Sequence, residues 1–283
     1  MARVRVMVSR VTLEEDTPKA LASDIVDDPG RSAKAEPDRA RITARRRRRW
    51  ADQAARSGVS LAMIGAFIVI SRAIRGRRAN TFDRAIVRAV GPARRPITDA
   101  IVRGITFFGS AGGATGVTVL ALALARRRPR LLSQVAVGAS GGILAELCIK
   151  RLFLRKRPTL LPHLEAVTST SFPSGHAMAS SSLYVTLAFV ASRSRMLRAH
   201  RGALLTSAGA LATMIGVSRV YLGVHWPTDV LGGLALGTAW ACSAETLYDL
   251  TGAERIEREA EAEAVPPTAA SIDAPLFPSS KSV

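Results

Sequence analysis

The sequence predicts an all-α membrane protein, a bundle of six transmembrane helices, and two observations carry that expectation. A mean hydropathy of +0.16 coexists with a formal net charge of +18 over 283 residues, so charge and apolar surface must be segregated along the chain. They are: Arg-rich clusters alternate with stretches that carry no charge, such as Gly104 to Ala125 and Gly202 to Ser218, the pattern of membrane spans separated by interfacial loops.

Taken in order, the expected spans are centred on Ser57 to Ile74, Ile105 to Ala125, Leu131 to Ile149, Ala177 to Ser192, Gly202 to Arg219 and Thr228 to Leu247. Several have charge-free cores shorter than the ~20 residues a bilayer requires. Flanking Arg and Lys side chains can snorkel to the interface, and buried helix ends can line a wet cavity. From Asn80 to Gly104, Phe82, Ile86, Val87 and Val90 repeat at helical spacing opposite Asp83, Arg84 and Arg88, until Gly91-Pro92 breaks the run. An amphipathic helix in the interface and a short soluble connector both fit that segment. Glycines within the spans, such as Gly138, Gly141, Gly142, Gly232 and Gly233, are read as sites of close helix packing.

The flanks differ from this core. Residues 1–55 mix acids, Arg, Pro and Gly without periodicity and are expected to form a basic cytoplasmic arm lacking order. The transmembrane domain is expected over 56–250, and a second unordered tail, rich in Glu, Ala and Pro, over 251–283. No apolar stretch followed by a small-residue cleavage site precedes Trp50, so the first span reads as an anchor. The run Arg45 to Arg49 could suit a nucleic acid, but directly ahead of an apolar span it reads as an orientation signal and a grip on anionic lipid. No nucleic-acid partner is expected. The two cysteines, Cys148 and Cys242, read as small packing residues.

Three clusters place ionisable residues at the edges of apolar spans, where such groups are costly unless they have a task. They are Lys150 to Pro158 (KRLFLRKRP), Pro173-Ser174-Gly175-His176, and Ser218-Arg219 through His225 to Asp229. The first two share the loop between spans three and four. The third lies between spans five and six, two crossings away, so all three face one side of the membrane and can converge. Lys150, Arg157 and Arg219 supply cations with no matching local carboxylate apart from Glu146, a pattern that suits a multiply charged anion such as phosphate. Ser174, Gly175 and His176 open a helix, whose N–H groups and dipole can face the same oxygens.

In the third cluster, Asp229 falls in the first turn of a helix begun by Pro227, within reach of His225. A carboxylate on one ring nitrogen fixes the tautomer and leaves the other nitrogen to attack phosphorus. His176 would then protonate the leaving oxygen and later deprotonate water. No P-loop, Mg2+-type carboxylate cluster or Zn-ligand spacing is visible in the sequence, so no metal or other cofactor is expected, and protein cations would neutralise the phosphate.

These residues resemble the three-part signature of the type 2 phosphatidic acid phosphatase family, shared with vanadium haloperoxidases and glucose-6-phosphatase: Lys150, Arg157 and Pro158; Pro173, Ser174, Gly175 and His176; Ser218, Arg219, His225 and Asp229. The likeness extends over about Ser57 to Leu247 and leaves out both tails. It implies the all-helical fold of that family, His225 as nucleophile, His176 as proton donor, phosphate binding by Lys150, Arg157, Ser174, Gly175 and Arg219, and a site at the outer surface of the cell membrane. The usual substrates of bacterial relatives would be undecaprenyl diphosphate, phosphatidylglycerol phosphate and phosphatidic acid; a lipid diphosphate is the first expectation.

Outside the signature, His163 and His200 are read as packing residues, and Arg151, Arg155 and Lys156 as interfacial anchors. Glu146 is read as a supporting partner of Lys150 or of a signature arginine, and Trp226 as an ordinary interfacial tryptophan. Two other functions stay open on the sequence: a phosphotransferase that delivers the phosphoryl group to an acceptor hydroxyl, and a non-catalytic lipid-binding anchor. Oligomeric state is not legible.

Overall fold

The computed structural model describes residues 29–74 and 80–264, and among them the secondary structure is entirely helical. The helices are α1 (Pro29–Ala73), α2 (Thr81–Val90), α3 (Pro96–Phe107), α4 (Ala111–Ala125), α5 (Pro129–Lys150), α6 (Gly175–Ala191), α7 (Arg201–Tyr221) and α8 (Pro227–Ala264), with short 3-10 turns at Gly91–Ala93 and Arg198–His200. The chain divides into two units, Met1–Ala51 and Asp52–Val283. In the first, the backbone is helical from Pro29, inside the stretch whose composition suggested no order; Ala and Arg, abundant there, are strong helix formers. Residues 1–28 and 265–283, the outer parts of the two expected tails, lie outside the described residues.

Within the second unit α6 is the central helix, packed against α5, α7 and α8. Its polar residues Ser180, Ser181, Ser182 and Thr186 are buried beside Met178, Leu183 and Phe189. The serine hydroxyls bond backbone carbonyls: Ser180 Oγ donates to His176 O at 2.6 Å and Ser182 Oγ to Gly138 O at 2.5 Å. A helix enclosed by other helices needs neither full bilayer length nor an apolar outer face, which explains how α6 manages with 17 residues.

Among the described residues, three helical stretches are long and apolar enough to cross a membrane: Arg46–Ala73, Pro129–Lys150 and Arg198–Tyr221. The expected second span is instead a pair, α3 and α4, bent by 46°. Its break falls at Phe108 to Ser110, inside the stretch Ile105 to Ala125 that was expected to be continuous. Ser110 caps α4 by accepting from Gly113 N at 3.1 Å, and a Cβ on Gly109 would come within 2.3 Å of Ile215. The corner is therefore wedged against α7.

The segment Asn80 to Gly104 folds as α2, a 3-10 turn and α3, with α2 turned differently from the sequence expectation. Asp83 and Val87 face inward with 0% exposure, whereas Phe82 and Ile86 are 50% and 38% exposed. Asp83 is held inside by an ion pair, described below, which outweighs the burial of two apolar side chains that a lipid environment accepts readily.

At the end of the bundle remote from Lys150, a second polar cluster joins α1, α5, the turn after α6, and α8. Arg56 Nη2 meets Asp249 Oδ2 at 2.5 Å, Arg193 Nη2 meets Glu245 Oε1 at 2.6 Å, and Gln134 bonds Glu245. Ser60 Oγ adds a bond to Ser243 Oγ at 2.7 Å. Both cysteines are free thiols, Cys242 buried and Cys148 exposed.

The α6–α8 seam depends on residues without side chains. A Cβ on Gly237 would lie 2.3 Å from Met178 O and 2.0 Å from Ser181 Oγ, so part of the obstacle is backbone that cannot step aside. Gly237→Ala is expected to force the two helices apart and destabilise the protein by about 1–3 kcal/mol. Gly209 on α7 has nothing within 4 Å of its Cβ position, and Gly209→Ala is expected to be neutral or slightly stabilising. Thermal unfolding of both variants in detergent checks the contrast.

Candidate active site

The last turn of α7 leads into a loop that depends on Gly223, whose φ is +77°. A side chain there would suffer both the left-handed conformation and contact with Pro162 O at 3.1 Å. The turn directs His225 N back to Arg219 O at 3.3 Å, and Pro227 then starts α8. His225 is 3% exposed and Asp229 0%.

Two contacts define the imidazole of His225. Its Nε2 lies 3.2 Å from Arg157 Nη1, and its Nδ1 lies 3.5 Å from Asp229 Oδ2. A guanidinium can only donate, so Nε2 is the acceptor and carries the lone pair, while the ring hydrogen sits on Nδ1 towards the carboxylate. Burial depresses the basicity of His225; Asp229 opposes that effect, and Arg157 and Arg219 add to it. The net result is a neutral ring around pH 7 with an available lone pair.

Arg157 is oriented by backbone: its Nε donates to Ser169 O at 2.8 Å and its Nη1 to Val224 O at 2.6 Å. Arg219, 2% exposed, donates to Thr106 Oγ1 at 3.0 Å and is paired with Glu165. Lys150 Nζ donates to Ser169 Oγ at 3.3 Å. His176 stands on the first turn of α6, just ahead of the apolar stretch from Ala177, and its Nε2 is buried without a hydrogen-bond partner. Burial first, then the charges of Arg219, His225, Lys150 and Arg157, push its pKa down to about 3.

All five of these signature residues, Lys150, Arg157, His176, Arg219 and His225, line one cavity of about 400 Å3, together with Gly175, Glu165 and the start of α4. Ser174 is placed differently from expectation. It is fully buried and outside the cavity lining; its backbone N–H, expected to face an anion, instead donates to Asp229 O at 3.0 Å, while its buried Oγ has no hydrogen-bond partner. The first turn of α6 leaves the N–H groups of Gly175 and His176 for that task.

Three residues with parts in the site were not singled out as such from the sequence. Arg155, expected as an interfacial anchor, is 2% exposed and makes 2.5 Å contacts with both Asp83 Oδ2 and Asp229 Oδ1. Arg151 and Lys156 are exposed. Asp83 arrives from α2, and its spacing to Val87 and Val90 was the available signal for its inward face. Glu165, on the loop after α5, supplies the carboxylate facing Arg219; nothing in its local sequence marked it. The side chain of Glu146 lies outside the described residues. Trp226 is 7% exposed and donates from Nε1 to Lys156 O at 2.9 Å, so it belongs to the scaffold of the loop. His163 likewise donates to Pro158 O at 2.7 Å. Among the described residues, no group of three or more His, Cys, Asp or Glu is arranged to hold a metal ion.

The family model described as PAP2 superfamily matches residues 130–250 of this chain. The chain is similar to phosphatidylglycerophosphatase B of Bacillus subtilis, 33% identical over 175 residues, which cover 60% of this chain and 85% of that protein. It is also similar to decaprenylphosphoryl-5-phosphoribose phosphatase of Mycobacterium tuberculosis, 31% identical over 168 residues, covering 56% of this chain and 87% of the relative. Undecaprenyl-diphosphatase of Sulfolobus acidocaldarius is 36% identical over 92 residues, covering 30% and 36%. Among solved structures, the crystal structure of a transmembrane PAP2-type phosphatidylglycerolphosphate phosphatase from Bacillus subtilis superposes with a TM-score of 0.61 at 29% identity, covering 70% of this chain and 98% of that one. The cavity of cations and imidazoles, its all-helical setting and this extended likeness converge on one assignment: the chain belongs to the PAP2 superfamily.

Proposed function

We propose that this membrane phosphatase hydrolyses a lipid-borne phosphate through a phosphohistidine formed on Nε2 of His225. The observation that carries the reading is the polarised imidazole, with Nε2 accepting from Arg157 at 3.2 Å and Nδ1 directed at Asp229. A phosphate drawn in by Lys150, Arg157 and Arg219 recruits the Arg157 donor and releases the lone pair for in-line attack. The phosphorus–oxygen bond to the lipid breaks as the nitrogen–phosphorus bond forms, and His176 gives its proton to the departing oxygen. His176 then takes a proton from water, whose oxygen displaces His225 and frees inorganic phosphate. Fixed cations and helix N–H groups stabilise the five-coordinate phosphorus.

Lipid substrates suit the surroundings of the cavity, because Phe107 and Phe108, beside cavity residues Gly109 and Ser110, are 56% and 47% exposed. Undecaprenyl diphosphate is our first choice, followed by phosphatidylglycerol phosphate and phosphatidic acid; the named relatives act on substrates of both kinds, monoester and diphosphate. We place the site on the extracytoplasmic face of the cell membrane. The basic loops Arg126 to Arg130 and Arg193 to Arg201 lie at the helix ends opposite the cavity, as the positive-inside rule requires. Arg94, on the cavity side, is occupied by Tyr221 O at 2.6 Å and Pro162 O at 2.8 Å, so it serves packing.

Phosphate release from a panel of lipid phosphates in detergent with EDTA is expected to proceed without divalent metal. It should fall to background in His225→Ala and by about 10^2–10^4-fold in His176→Ala. Vanadate should inhibit. Activity that depends on metal, or that survives His225→Ala, sinks the reading. In a single turnover with labelled lipid, free phosphate should appear without added acceptor; its absence would indicate a phosphotransferase.

The pH profile follows from His176. With its pKa pushed down to about 3 by burial and the neighbouring cations, His176 carries no proton of its own between pH 5 and 8. The proton that His176 passes to the leaving oxygen must therefore reach it from the substrate, bound as the monoanion of a phosphomonoester whose second ionisation lies at about 6. Raising the pH through that value removes the proton, so kcat/KM for a monoester is expected to decline above about pH 6. A kcat/KM that rises from pH 5 to 8 contradicts this.

A further inference from the structure

Behind His225, away from the cavity, Asp229 of the signature joins a chain of buried charges whose other members, Arg155 and Asp83, the signature does not include. Asp229 Oδ1 accepts from Arg155 Nη1 at 2.5 Å, while Oδ2 accepts from Trp226 N at 2.8 Å and from Ser171 Oγ. Arg155 Nη2 reaches Asp83 Oδ2 at 2.5 Å, and Nη1 also donates to Thr228 Oγ1 at 2.7 Å. Asp83 Oδ1 accepts from Thr228 N at 3.0 Å and from Thr228 Oγ1 at 2.9 Å. Both oxygens of each carboxylate act as acceptors, and the side chains of Asp83, Asp229 and Arg155 are 0%, 0% and 1% exposed.

The charge count decides what this chain does. Arg155 alone against Asp229 would form a neutral pair, and the carboxylate would have little field left for the imidazole beside it. The imidazole already faces the cations Arg157 and Arg219, with His176 and Lys150 on the same cavity. Asp83 adds a second buried negative charge on the far side of Arg155, so the trio carries one net negative charge. Attack by Nε2 turns the neutral ring, with hydrogen on Nδ1, into a positively charged phosphoimidazolium. That positive charge needs an uncompensated anion next to Nδ1.

Resting on the nucleophile assigned to His225 above, we infer that Asp83 and Arg155 are positioning residues for the reaction: Arg155 fixes Asp229, and Asp83 neutralises Arg155 so that the charge of Asp229 stays available to His225 as it becomes phosphorylated. The amphipathic helix α2 thereby acts as the carrier of the balancing carboxylate.

A pair of variants tests this against a merely structural role, with kcat and KM measured for the full-length protein in detergent on a lipid phosphate that the native enzyme hydrolyses. Asp83→Asn removes the balancing charge and leaves Arg155 free to neutralise Asp229; kcat is expected to fall roughly tenfold or more with KM changed less than about threefold. Adding Arg155→Gln restores one net negative charge at Asp229 and lets the two new amides bond each other, and kcat is expected to rise at least about threefold above that of Asp83→Asn, short of native because Arg155 no longer fixes Asp229. Should Asp83→Asn alone not fold, the double variant carries the test, because it breaks no pair by halves.

A native-like kcat in Asp83→Asn overturns the inference. So does a double variant that folds yet is no better than the single one, or that fails to fold, since either result assigns the pair to the scaffold. Failure of the underlying reading shows itself separately, as native hydrolysis that persists in His225→Ala.

Discussion

A carboxylate shut away from water must be answered by donors or it costs several kcal/mol, and Asp229 is such a group. Its donors come from three places: the guanidinium of Arg155, the hydroxyl of Ser171 and the backbone N–H of Trp226. The first two lie at opposite ends of the long loop after α5, and Ser171 N returns to Arg155 O at 3.0 Å to close it. Satisfying one buried acid therefore folds the loop against the start of α8. Arg157, two residues beyond Arg155, is carried to His225 as a consequence, and Glu165 to Arg219. The anion cavity is assembled by the needs of a group that never reaches it.

Concentrating cations in a cavity raises the opposite problem, since like charges repel. The structure limits the cost in two ways. Backbone carbonyls of Ser169 and Val224 take up donors of Arg157, and the carboxylate of Glu165 sits on Arg219. The imidazoles remain neutral, with His176 driven down to about 3. What is left is a set of donors already in position around one cavity. Because these groups are fixed before the reaction, little reorganisation is needed as charge shifts on phosphorus.

The signature clusters were legible because ionisable residues at the ends of apolar spans have few other reasons to be there, and five of those residues do line one cavity. What escaped reading escaped for identifiable reasons. For α2, Phe82 with Ile86 and Asp83 with Val87 both repeat at helical spacing, and hydropathy favours burying the apolar pair Phe82 and Ile86. In a chain surrounded by lipid, however, apolar residues are stable on the outside as well, so hydropathy no longer separates inside from outside. Only the partner of Asp83, distant in sequence, decides the orientation. Arg155 lay hidden among other basic residues of one run, Arg151, Lys156 and Arg157, which differ in fate though not in composition. The break after Phe107 had a signal in Gly109-Ser110, but it lay within an otherwise unbroken apolar stretch.

Helix packing and chemistry meet at the α6–α8 seam. A Cβ on Gly233 would lie 2.5 Å from Ser174 O, and one on Gly237 would meet Met178 O and Ser181. This close approach lets Ser174 N bond Asp229 O at 3.0 Å, joining the first turn of α6 to the first turn of α8. The bond withdraws one N–H from the cavity, yet it ties the start of α6, which carries His176, to the start of α8 just after His225, the two groups that the proposed mechanism sets on opposite sides of one phosphorus atom. Larger residues along the seam would still permit a helical bundle, but would move apart the proposed nucleophile and proton donor. The small residues that make α6 and α8 look undistinguished in sequence are thus the ones that bring the segments carrying the two imidazoles together.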